Sequence, residues 1–187
     1  LAALHGSSPD VGIAGYSLGG GLGWYARSLG LAANHVPAAE VVIGDGSIVR
    51  TDADHDPELL WALRGGGGNF GVVTALEFSL FDIASAYAGL MVFDISRAAE
   101  VLPRWAAWSV EAPEQVTTWF RVLPLPPLPE LPPFLSGRSV VVIDGAVLAS
   151  DDRADRILAG LRSLNPELDT FLRMPAASLT RLHMDPE

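Results

Sequence analysis

With 187 residues, 49% hydrophobic and 18% charged, the chain can bury a sizeable core and lacks the composition of a disordered segment. Its formal charge of -10 argues against a nucleic-acid surface, and no apolar run reaches the ~20 residues of a membrane span. It contains no cysteine, and all 12 basic residues are arginine. That excludes disulfides, cysteine-ligated metals, a P-loop lysine and a Schiff-base lysine. Leu1 opens straight into "LAALHGSSPDVGIAG", with neither an initiator Met nor a charged leader, so we expect an internal stretch of a longer protein.

In chain order, the first element of note is the loop "GYSLGGGLG", Gly15 to Gly23. "VPAAEVVIGDGSIVRTD" then predicts two strands joined at Asp45-Gly46, a strong hairpin signal. "DPELLWALRG" predicts a short helix with Asp56 as N-cap, Pro57 at the first helical position and Gly65 just past the end. "VVTALEFSL" predicts a strand with Val72, Thr74, Leu76, Phe78 and Leu80 on one face.

A second texture begins near Ser85. "YAGLMVFDI" reads as a strand, and Val101, Trp105, Trp108 and Ala112 form a helical core stripe in which Pro103 marks a kink or the true start. "VTTWFRVL" and "SVVVIDGAVL" are further strands, separated by a "PLPPLPELPP" segment too proline-rich for regular structure. From Ser150, as cap, a helix buries Ile157, Leu158, Leu161 and Leu164. The order strand–helix–strand–strand–helix is that of a ferredoxin-like layer, and the tail "DTFLRMPAASLTRLHMDPE" is expected to close nothing. The fold class is α+β.

The glycine loop carries two chemistries. Gly15-Tyr16-Ser17-Leu18-Gly19 fits G-x-S-x-G, which would make Ser17 the nucleophile of an α/β-hydrolase. The flanking glycines oppose that, because a nucleophile elbow needs a strand before it and a helix after it. The fingerprint G-x-G-x-x-G/A appears at Gly21–Ala26 and Gly66–Gly71, but the second match follows a helix and precedes a strand, the reverse of its mechanism. What remains is bare backbone able to approach an anion or a flat ring. "DADHDP" reads as a solvated turn and helix cap, and the four histidines have no metal-ligand spacing.

Over "SPDVGIAGYSLGGGLGWYARSLGLAANHVPAAEVVIGDG" and "DPELLWALRGGGGNFGVVTALEFSL" the chain closely resembles the berberine-bridge-enzyme-like flavoproteins of the vanillyl-alcohol oxidase and p-cresol methylhydroxylase superfamily. The resemblance implies that residues 1–82 are the C-terminal part of a PCMH-type FAD-binding domain. It implies that 83–187 begin an antiparallel-sheet substrate domain. FAD is the implied cofactor, with Ser8, Gly12, Gly15, Tyr16, Gly19, Gly20, Gly23, Val72 and Val73 as contacts and Ser17 a plain loop residue. Tyr16 stands where relatives often place a histidine beside the isoalloxazine, and Ser8 where some carry a cysteine that bonds the flavin covalently. Ser8 cannot form that thioether. The implied partners are a small-molecule substrate and the flanking segments of the same protein, with no nucleic acid and no membrane. The implied reaction is hydride transfer from a substrate C–H to flavin N5, its catalytic base outside this segment. A non-catalytic binding module on the same fold is the alternative.

Overall fold

The computed structural model describes residues 1–183, in two units: residues 1–84 with 176–183, and Ser85–Pro175. In the first unit, helix α1 (Ile13–Leu18) and the single turn α2 (Ala26–Leu29) are followed by a 3-10 turn at Ala32–His35. Strands β1 (Ala38–Val42) and β2 (Ile48–Thr51) form the hairpin that Asp45-Gly46 predicts, with Gly46 at φ +85°. Helix α3 (Pro57–Gly66) starts where the sequence places it: the Asp56 carboxylate accepts from Leu59 N, and Pro57 occupies the first turn. Its regular geometry ends at Arg64, and Gly65 takes φ +106°.

Strand β3 (Val72–Glu77) completes a three-stranded sheet in the order β2-β1-β3, but its alternation differs from the prediction. Glu40 pairs with Ala75 and Val41 with Val73, so Thr74 is an extra residue in the ladder. Such a bulge moves the inward face by one position. Val73 and Leu76, three apart, pack on the core of Leu18, Ala39, Val41 and Leu63, whereas Val72 is 68% exposed. Phe78 and Leu80 lie beyond the strand and are exposed. Leu179, from the 3-10 segment Ala176–Arg181, is fully buried in this unit.

The second unit is a helix-backed antiparallel sheet. Strand β4 (Ser85–Asp94), helix α4 (Ala98–Glu111), strands β5 (Val116–Pro124) and β6 (Ser139–Val147) and helix α5 (Asp151–Arg162) follow the predicted order. Pro103 lies inside α4, which begins five residues earlier at Ala98, so it is not the helix start. Ser150 holds the cap position with extended backbone, although its side chain makes no capping hydrogen bond.

The tail does close the layer. Strands β7 (Leu168–Asp169) and β8 (Leu172–Pro175) both pair antiparallel with β4, giving the order β5-β6-β4-β7/β8. This fourth strand is split at Thr170-Phe171, where the Phe171 backbone crosses Gly89 so closely that a β-carbon there would sit 2.5 Å from it. A four-residue and a two-residue piece carry too little alternation to read as a strand.

One face of the sheet, with Tyr87, Met91, Phe93, Val141 and Ile143, packs on Val101 of α4 and on Ala154, Leu158 and Leu161 of α5. Trp105 and Trp108 join that core, donating to Thr118 Oγ1 and to the Ile157 carbonyl. On the other face the proline-rich connection folds Leu135 onto Leu90, Val92, Val140 and Val142. Asp144, fully buried on this same face, pairs with Arg121 Nε at 2.7 Å.

Candidate functional site

Helix α1 is the centre of the candidate site. Six residues that include a glycine are too few to hold a helix by themselves. This one stands because Ser17 (2% exposed) and Leu18 (9%) are buried, with Leu18 in the core shared by α3, β1 and β3. The opposite side is bare. Gly12, Gly15 and Gly19 recur at i, i+3 and i+7, which puts them on one stripe. A β-carbon on Gly12, Gly15 or Gly20 would meet nothing within 4 Å, and one on Gly19 only backbone carbonyls, of Gly15 at 3.0 Å and Tyr16 at 3.9 Å. Gly20 at φ +110° and Gly21 at φ +75° turn the chain away from the helix. Their carbonyls accept from Ala33 N and Ala32 N at 2.9 Å, which pins the turn. Gly12, the N-cap, offers no side chain, so the first N–H groups of α1 have no side-chain partner.

Gly21 and Gly23 are glycines for another reason. A β-carbon on Gly21 would lie 2.5 Å from Ala32 Cβ and 2.9 Å from Tyr16 Cε1. On Gly23 it would lie 2.5 Å from Tyr16 Oη and 2.6 Å from the His5 carbonyl. Their absent side chains make room for the Tyr16 phenol beneath the loop.

There Tyr16 Oη is buried without a hydrogen-bond partner, and so are Tyr25 Oη and His5 Nε2. Burial pushes both phenols up to about 12. His5 Nδ1 lies 2.7 Å from the Gly6 carbonyl, which makes Nδ1 the donor and leaves Nε2 as a bare acceptor. No sequence signal marks His5 or Tyr25. They are 20 residues apart with no motif spacing and meet only through the fold, their rings edge-on at 5.8 Å.

Ser17 is not in an elbow. No strand leads into it, it sits within α1 itself, and its side chain is buried. It is a helical residue, not the loop residue that the resemblance implies. Among the described residues no cluster of three or more His, Asp or Glu can hold a metal, and no helix is long and apolar enough to cross a membrane.

No family model matches the chain. A xylooligosaccharide oxidase of Thermothelomyces thermophilus is 46% identical over 80 residues, 43% of this chain and 16% of that protein. Other curated relatives are named FAD-linked oxidoreductases. The crystal structure of 6-hydroxy-D-nicotine oxidase from Arthrobacter nicotinovorans superposes with a TM-score of 0.83 at 27% identity, over 98% of this chain and 39% of that one. A berberine-bridge-enzyme-like protein of Physcomitrella patens shares the fold, with a TM-score of 0.76 at 22% identity over 93% of this chain and 36% of that one. The chain is thus similar to FAD-linked oxidases in sequence and shares its fold with them.

The remaining residues that the resemblance singles out are dispersed. Ser8 lies before α1 in a turn, where its hydroxyl donates to Asp10 Oδ1 at 2.5 Å. Val72 and Val73 lead β3 and point to opposite sides, Val72 to solvent and Val73 into the core that also holds Leu18. That core ties the start of β3 to α1. The chain spans 39% of the nicotine oxidase structure and 16% of the xylooligosaccharide oxidase.

Proposed function

We propose that this chain supplies one wall of the cofactor clamp and part of the substrate wall of an FAD-dependent oxidoreductase. In this reading residues 1–82 belong to the FAD-binding domain and 83–187 to the substrate-binding domain, apart from 176–183, which pack in the first unit. The observation that carries it is the open stripe of Gly12, Gly15, Gly19 and Gly20, against which a flat ring or a pyrophosphate can reach the backbone itself. The residues fit the group. The open stripe lets a ligand reach main-chain groups, and Tyr16 brings a phenol that lacks an acceptor.

Gly12, Gly15, Gly19 and Gly20 hold the cofactor through backbone. Gly23 acts by letting Tyr16 pack, Ser8 borders the site, and Val72 and Val73 place the start of β3 near the adenosine end. When bound, FAD supplies the hydride acceptor, its N5, for a substrate C–H at an alcohol or sugar-like carbon, with oxygen or another acceptor reoxidising it. The protein contributes orientation and exclusion of water, and no residue of the described chain is assigned as the catalytic base.

The test is the full-length protein. It should purify yellow, and anaerobic addition of an oligosaccharide or a secondary alcohol should bleach the flavin absorbance. A protein that purifies colourless and takes up no FAD overturns the reading.

A further inference from the structure

Tyr16 belongs by position to the open stripe and by conformation to the interior. It follows Gly15 directly and precedes Gly19 by three residues, so its backbone borders the bare face of α1. Its ring does not lie over that face. It passes under Gly21 and ends with Oη against Gly23. Leu4, His5, Tyr16, Gly23, Trp24 and Tyr25 line the void at that end, and no space in it admits a water molecule. Solvent therefore cannot satisfy Tyr16 Oη, Tyr25 Oη or His5 Nε2, and a buried hydroxyl with no partner is a standing cost. Tyr25 is held in place at 2% exposure and His5 is tied through Nδ1 to Gly6. Tyr16, half-buried at the edge of the stripe, is the one of the three with an open face beside it.

We propose that Tyr16 is a two-position residue, with its phenol stored beneath the glycine loop in the cofactor-free chain and turned out over the α1 stripe when FAD binds. This rests on the stripe being the flavin site. Turning out gives Oη an acceptor on the cofactor, so the ligand interacts differently with the two positions, as any ligand-driven shift requires. Turning out also empties a ring-sized space beneath the loop. A water entering there can accept from Tyr25 Oη and donate to His5 Nε2, satisfying both groups that the stored phenol leaves stranded. Gly21 and Gly23 make the stored position possible.

Tyr16→Phe in the full-length protein tests this, because it removes one oxygen and keeps the ring. The apoprotein should gain a few degrees in Tm, since the unsatisfied hydroxyl is gone. FAD affinity, followed by flavin fluorescence, should fall about tenfold, since the outward phenol has lost its bond. A purely structural tyrosine moves both readings the same way; the stored phenol moves them oppositely. An apoprotein Tm that falls or stays constant overturns the proposal, and so does an unchanged or improved affinity. Gly15→Leu separates the two readings. If it abolishes FAD binding while Tyr16→Phe does not weaken it, the two-position residue fails and the site stands. If neither variant changes binding, the site itself is misplaced.

Discussion

Replacing Gly15 separates a glycine kept for a ligand from one kept for the fold. Gly15 lies inside α1, and a β-carbon there meets nothing within 4 Å. Gly15→Ala should therefore stabilise the apoprotein by about 0.5–1 kcal/mol, the ordinary helix-interior difference between the two residues. FAD affinity should move the other way. Carbon atoms pack at about 3.5–4.0 Å, so a methyl on the stripe lifts the cofactor off the backbone and stretches several hydrogen bonds worth about 1 kcal/mol each. We expect about a tenfold weaker Kd for Gly15→Ala and no measurable binding for Gly15→Leu. Thermal melts of the apoprotein and a fluorescence titration with FAD give the two readings.

Gly23→Ala is the control. Its β-carbon would lie 2.5 Å from Tyr16 Oη and 2.6 Å from the His5 carbonyl, so it should cost about 1–3 kcal/mol of stability before any ligand is added. Gly20 is a poorer probe, because φ +110° penalises any side chain whether or not a ligand is near. If Gly15→Leu binds FAD within twofold of the unaltered protein, the stripe does not touch the cofactor and the reasoning fails.

Removing one member of the buried Arg121–Asp144 pair, as in Asp144→Leu, should cost about 3–5 kcal/mol in urea denaturation, because Arg121, with only 23% of its side chain exposed, keeps a charge without a partner. Arg121→Leu with Asp144→Leu should recover most of that loss, and a double variant no better than the single one refutes the pairing as the cause. Hydrogen bonds from the Ser96 hydroxyl, the Ser96 N–H and Arg138 hold the Asp94 carboxyl down at about 2, and His55 heads the causes that lower Asp52 to about 2. Both shifts lie below the ordinary value, so the stability they bring is present above about pH 4 and lost as the pH falls toward 2. Tm measured from pH 5 to pH 2 should decline over that window, and Asp94→Asn should flatten the decline. The 187-residue chain alone, spanning 39% of the nicotine oxidase structure, should bind FAD weakly, since one open wall encloses little of a large ligand. Submicromolar, stoichiometric binding in a fluorescence titration would show that this segment is a complete cofactor site.

The elements that stand out in the sequence are those whose signals are local. Asp45-Gly46 makes its hairpin, Asp56-Pro57 starts α3, and the apolar period of α5 buries Leu158 and Leu161. The readings that failed depend on partners far along the chain. The Thr74 bulge arises from pairing with Glu40 and Val41, and a window over "VVTALEFSL" cannot contain that register. The split fourth strand depends on Phe171 crossing Gly89, about 80 residues away in a chain whose short pieces carry no period of their own. In the candidate site the glycine loop was visible, whereas His5, Tyr16 and Tyr25 converge only after folding and show no spacing rule.

Glycine count misleads for a physical reason. Gly15 and Gly20 face open space, and Gly21 and Gly23 face Tyr16, yet the string "GYSLGGGLG" writes all of them the same way. A ligand read through backbone leaves no side chain to announce it, and a ring stored beneath a loop needs glycines for the opposite purpose. The distinction is set by which way α1 is turned, and Ser17 and Leu18 set that turn by burying the far side of the helix. Leu18 packs with Leu63 of α3 and with Val41 and Val73 of the sheet, so residues that touch no cofactor determine which glycines are available to one. A site built from bare backbone is thus only as precise as the apolar core beneath it, and its specificity begins at the buried Leu18 rather than at the exposed glycines.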